Sequence, residues 1–144
     1  MAIYDYALAG SGDLGSLTNP QWITGEMDIA TAPFTVAAGQ VLDKYTVLAR
    51  NTAGAMVPLD TTQTDGRQNA VCVLLHALNT TAAPATTPLG VALPVGGGAA
   101  DTITECYTAG VFNPDLAVWP ATLTTVISRV RQFDRTNIRF QRPL

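Results

Sequence analysis

The chain is poor in charge. Asp, Glu, Lys and Arg make up 13% of its 144 residues, about half the usual quarter. A single histidine excludes a His pair for a metal ion. Cys72 and Cys106, 34 residues apart, make neither a disulfide framework nor a zinc site. No apolar run approaches the ~18 residues needed to cross a bilayer; Val71-Cys-Val-Leu-Leu75 is typical of the longest. The stretch Met1–Tyr6 lacks the basic start and apolar core of a secretory signal. A net charge of −3 argues against general nucleic-acid binding. The expected partners therefore include neither a membrane nor nucleic acid directly.

Small and polar residues replace the missing charge. The chain holds 20 Thr, 21 Ala, 12 Gly and 9 Pro, with 47% hydrophobic residues overall. Such a surface is weakly solvated and suits a protein packed against other proteins. The length fits one domain, able to bury about 68–70% of its unfolded surface without a staple. Charge is unevenly spread. Arg129, Arg131, Arg135, Arg139 and Arg142 face only Asp134 in the last 16 residues, a net of +4 that leaves −7 for residues 1–128. The plainer reading is that these arginines solvate one helix and one strand; the other is a phosphate or an acidic partner. Arginine in place of lysine points to fixed hydrogen-bonding geometry.

Residues 1–33 read as an extended N-terminal arm. Gly10, Gly12, Gly15, Pro20 and Pro33 punctuate it, and it lacks a helical period. Yet Tyr4, Tyr6, Leu8, Trp22, Ile23, Met27 and Ile29 make it too apolar for a plain linker. Glu26-Met-Asp-Ile29 alternates as a short strand would. From Phe34 to Leu144 the pattern is that of a β-rich domain. Short strands are expected at 34–36, 41–42, 44–49 and 55–59, with turns at Asn51–Gly54 and Thr64–Gly66. Ala70–Leu78 is the most apolar strand and the expected centre of the sheet. Residues 79–100 read as a surface loop around a short strand over Leu89–Val95. Strands follow at 101–108 and 111–112 around a turn at Ala109-Gly110. Pro120 is expected to open a helix over about 120–134, since proline suits the first helical position. Leu123, Val126, Ile127, Val130 and Phe133 form its apolar stripe. Asn137–Gln141 alternates as a last strand. The fold class is mainly β (α+β), with one helix near the C-terminal end.

The catalytic inventory is thin. Ser11, Ser16 and Ser128 lack the Gly-x-Ser-x-Gly setting of an activated serine. Cys72 and His76 share a face but are too few for a zinc site. The pairs Glu26/Asp28 and Asp101/Glu105 are no more than 11 acidic residues give by chance. Gly96–Gly98 lacks the Lys-Ser/Thr of a phosphate loop. Gly10-Ser-Gly12 followed by Gly15 has no preceding strand to make a dinucleotide fingerprint. Trp22 and Trp119 read as packing anchors. No catalytic, cofactor or metal residue is assigned.

Two segments are more specific. One is Gly54-Ala-Met-Val-Pro-Leu-Asp60 followed by Gly66-Arg-Gln-Asn-Ala-Val-Cys-Val-Leu74. The other is Tyr107-Thr-Ala-Gly-Val-Phe112, then Leu116-Ala-Val-Trp-Pro120. In order and spacing they resemble the lambda-type phage head decoration protein family over roughly residues 36–140. The first 33 residues are outside the resemblance. The stretch 79–100 is longer than in compact members, and Cys72 stands where the family has glycine.

The resemblance implies a small β-clip-like domain and a structural, non-enzymatic role. It implies homotrimers that bind the major capsid protein at threefold sites on the outside of the expanded head. There, made in the host cytoplasm and added to the virion, they act as cement against genome pressure. The arm would add a strand to the capsid protein, with Tyr4, Tyr6, Leu8, Trp22 and Ile23 as anchors. Strand addition takes affinity from main-chain hydrogen bonds and specificity from alternate side chains. The alternative for the arm is packing on its own domain. Gly110, Phe112, Trp119 and Pro120 are expected to be structural. Competing functions are a tail-tube or fibre-base subunit and a host-surface adhesion module.

Overall fold

The computed structural model describes residues 21–96 and 99–143. In chain order, β1 is Ala30–Val36, β2 Val41–Leu42, β3 Val47–Arg50, β4 Met56–Pro58 and β5 Ala70–Leu74. Three two-residue strands follow: β6 (Leu78–Asn79), β7 (Ala85–Thr86) and β8 (Ala92–Leu93). β9 spans Thr102–Phe112, helix α1 Val126–Arg131 and β10 Asn137–Phe140.

The main sheet has the order β1-β4-β3-β5-β9-β10, and β9 also pairs with β1. Five strands therefore close on themselves into a small barrel, with β10 appended. The 11-residue β9 makes this possible. One edge takes β1, antiparallel from Ala30↔Ala109 to Val36↔Thr102. The other edge takes β5 at Cys106 and Tyr107, then β10 in parallel from Asn137↔Ala109 to Phe140↔Phe112. β5 lies centrally between β3 and β9, as its apolar run predicts. Pro58 ends β4 beyond the single pairing of that strand with β1 at Met56, so its missing N–H removes no bond from that ladder.

Strand alternation sends side chains to two separate cores. Val36, Leu42, Leu48, Met56, Cys72, Leu74 and Cys106 pack together as one. The alternate residues Val47, Ala49, Val73 and Tyr107 point the other way. They are covered by Trp22, Phe112, Leu123, Phe133, Ile138 and Phe140. The sheet is thus buried on both faces, by its own closure on one and by the chain ends on the other.

The turns at Asn51–Gly54 and Thr64–Gly66 form as expected. Asn51 Oδ1 accepts from the N–H groups of Ala53 and Ala55, and Gly54 takes φ +89°. Four expectations are corrected. First, the boundary at residue 33 falls inside β1, whose pairing with β9 begins at Ala30. Second, Ala109-Gly110 is not a turn. β9 runs through it because Gly110, at φ +141°, leaves room for the Phe112 ring, which a Cβ there would meet at 2.6 Å. Third, Pro120 does not open the helix. The turn bond from Leu123 N–H to Pro120 O holds the chain, and the helix is only Val126–Arg131. Its N-cap is Thr125, in extended conformation, whose hydroxyl accepts from the Ser128 N–H. With the helix this short the stripe fails at Ile127, which is 70% exposed. Fourth, the strand expected within Leu89–Val95 shrinks to β8, which pairs with β7 as a hairpin around Gly90 at φ +92°.

Candidate functional site

The cysteines come first because they are the strongest nucleophiles present. Cys72 and Cys106 are fully buried beside Met56, and the Cys72 thiol donates to Met56 Sδ at 3.7 Å. The neighbouring Cys106 thiol, then burial, pushes the Cys72 thiol far above its ordinary range. A thiol held protonated in a closed interior is inert. His76 is exposed beyond the end of β5, so it shares no site with Cys72. Among the described residues, no cluster of three His, Cys, Asp or Glu could hold a metal.

The aromatic residues converge instead. Trp22 is 7% exposed, and its ring stacks on Tyr45 at 3.9 Å and on Phe112 at 4.7 Å, nearly parallel to both. Tyr107 tilts against both Trp22 and Phe112. Burial, then the Tyr45 phenol, raises the Tyr107 hydroxyl above its usual range, with the Trp22 indole opposing. The indole N–H is buried and makes no hydrogen bond of normal geometry. Backbone ties fix the Trp22 segment. Trp22 O accepts from Asn113 N–H at 2.8 Å, Thr24 N–H donates to Val111 O, and the Thr24 hydroxyl donates to Gln141 O at 2.7 Å.

Tyr45 needs an unusual backbone to reach Trp22. Its φ is +65°, and it is held on both sides: its N–H donates to Leu74 O and its carbonyl accepts from Val118 N–H. A left-handed conformation in a non-glycine residue costs about 1–2 kcal/mol, offset here by the stack. No signal in the sequence marked Tyr45. The spacing of Tyr107, Gly110 and Phe112 did mark its partners, since the bare face of Gly110 seats the Phe112 ring. Trp119 donates from Nε1 to Pro114 O at 2.8 Å and sets its edge against Phe133 and Phe140. Pro120 lines a cleft of about 440 Å³ with Asp60 and Arg67.

Of the expected shell anchors, Tyr4, Tyr6 and Leu8 lie outside the described residues. Trp22 is corrected: it belongs to its own domain's core, with almost no surface left for another protein. Ile23 bridges to Phe112 through its backbone while its side chain stays 46% exposed. Three of the C-terminal arginines are tied to the fold. Arg129 donates to Leu123 O and lies over the Trp119 ring, Arg139 donates to Thr136 O at 2.6 Å, and Arg142 forms a two-bond ion pair with Asp115.

The model of one family, bacteriophage lambda head decoration protein D, matches residues 17–93. That is more than half the sequence. The chain belongs to this family. It is a phage head decoration protein, and the family's role is structural. The matched stretch begins inside the segment expected to lie outside the domain and takes in Trp22, in keeping with the burial of that ring. It ends before Tyr107–Phe112 and Trp119-Pro120, where the sequence resemblance was also seen. No individual curated protein matches the chain.

Proposed function

We propose that this decoration protein binds as homotrimers at threefold sites on the outer surface of the expanded head, where it cements the shell against genome pressure. The partner is the major capsid protein. Residues 1–20 supply the arm, adding a strand to the capsid protein, with Tyr4, Tyr6 and Leu8 as alternate anchors and Ile23 at the arm's base. The family match carries this reading. The composition supports it, because a surface low in charge favours permanent packing against protein. Three arms on one trimer raise avidity without stronger contacts per arm.

The test is co-sedimentation of the purified protein with unexpanded and expanded shells of its phage. Binding to expanded shells alone, saturating near three copies per threefold site, is the expected result. Binding to neither shell moves the function to a tail or adhesion component.

A further inference from the structure

Among the described residues, most basic side chains are satisfied within the chain, which makes the exceptions informative. Lys44 lies over the Tyr45 ring, Arg50 donates to Gly54 O, and Arg67 pairs with Asp65. Arg129, Arg139 and Arg142 are bound as described above. Among the described residues, only Arg131 and Arg135 lack both an acceptor and an aromatic partner. Both are exposed, and both line one cleft of about 550 Å³ with Gln68, Asn69 and Gln132; Asp134 on the same rim leaves it net positive. The exposed Ile127 precedes Arg131 by one helical turn on the same face.

The opposite chemistry sits at the start of the domain. Residues 25–29 lie between the Ile23 bridge and β1 and belong to no strand. Glu26, Met27, Asp28 and Ile29 are all exposed, and neither carboxylate has a partner among the described residues. Their alternation is that of a strand, yet nothing in the described chain pairs with them. Glu26 and Asp28 stand two residues apart on an exposed segment that bends at Gly25 and Met27. Two guanidinium groups lining a single cleft can meet that spacing.

We infer that the Glu26–Ile29 segment of one copy docks on the Arg131/Arg135 cleft of the next. Glu26 and Asp28 pair with the arginines. Two different patches make this a head-to-tail contact, which closes into a ring when the rotation suits. The inference rests on the homotrimer reading and names the surfaces that would build it.

The test is sedimentation velocity on the full chain at low salt. The wild type is expected to be trimeric. Arg131→Glu with Arg135→Glu, and separately Glu26→Arg with Asp28→Arg, should each weaken association about 10- to 100-fold, because like charges then face each other. Unchanged thermal melts check that these exposed substitutions leave the fold intact. The quadruple variant, with both patches reversed, should regain the trimer. Trimers that survive both double substitutions overturn this contact and leave the homotrimer reading standing. A monomeric wild type overturns both. A quadruple variant that stays monomeric refutes the pairing of these two patches. Arginine variants that stay trimeric but lose shell binding assign the cleft to the capsid protein, which also overturns the proposal.

Discussion

The two cores of this small protein are built from different chemistry. One holds aliphatic and sulfur side chains, Leu48, Met56, Cys72, Leu74 and Cys106 among them, nearly all from strands. The other carries the aromatic residues: Trp22, Tyr45, Trp119 and Phe133 come from loops, Tyr107 and Phe112 from β9, and Phe140 from β10. A ring of short strands has little interior volume, which thiols and branched aliphatics fill at native density. The outer wall has no such limit. There large rings gather segments far apart in sequence, and the N-terminal segment at Trp22 joins the C-terminal residues at Phe140. The barrel is closed by backbone pairing, and the chain ends are closed onto it by aromatic contact.

Substitutions can break this contrast. Trp22→Ala should have the largest effect, lowering stability by about 3–5 kcal/mol as a buried aromatic does; chemical denaturation measures it. An unchanged midpoint would return Trp22 to the role of an external anchor. Gly110→Ala should follow, at about 2–3 kcal/mol, because a Cβ clashes with Phe112 and disfavours the local φ. Cys72→Ser probes the other core and should cost about 1–2 kcal/mol, from a buried hydroxyl with only the sulfurs of Met56 and Cys106 beside it. Far-UV circular dichroism with urea titration ranks the two.

The smallest effect concerns acid. Hydrogen bonds from the Thr62 hydroxyl and backbone, then Gln63, hold the half-buried Asp60 carboxyl below its ordinary range. Arg67 does the same for Asp65. Groups with lowered folded values contribute stability that is present above the unfolded carboxylate range. It is lost as pH falls through the folded values. The double substitution Asp60→Asn, Asp65→Asn should therefore lower the melting temperature slightly at pH 7 and flatten its fall below about pH 4, where variant and wild type converge. Equal losses at both pH values would show that the loop depends on shape alone.

The strands and turns of the barrel are legible because period-two patterning and turn chemistry act locally; its closure through the pairing of β1 with β9 is not. Ala70–Leu74 reads as a buried strand, and Asn51–Gly54 reads as a turn from its own residues. The aromatic core was legible only in pieces. Trp119 and the Tyr107, Gly110, Phe112 spacing stand out, but nothing local pairs Trp22 with Tyr45. From sequence Trp22 reads both as a packing anchor and as a shell anchor, because its flanks carry no period that would choose between them. Its burial depends on Tyr45 adopting a left-handed backbone. The helix was overextended because Pro120 and a spaced apolar stripe look helical, while Thr124 and Thr125 end the extended approach instead. The cleft at Arg131 and Arg135 needed the structure, since five arginines look alike until three are seen bound.

The central proposal is that residues 1–20 serve the shell, while the barrel and its aromatic wall, from Trp22 onward, hold the fold. Its most direct test compares two truncations, one lacking residues 1–20 and one lacking residues 1–29, by thermal melting and by co-sedimentation with expanded shells. Removing 1–20 should leave the melting temperature within a few degrees of the full chain and abolish shell binding. Removing 1–29 takes Trp22 away and should lower the melt sharply. If the chain lacking 1–20 binds shells as the full chain does, the division is wrong.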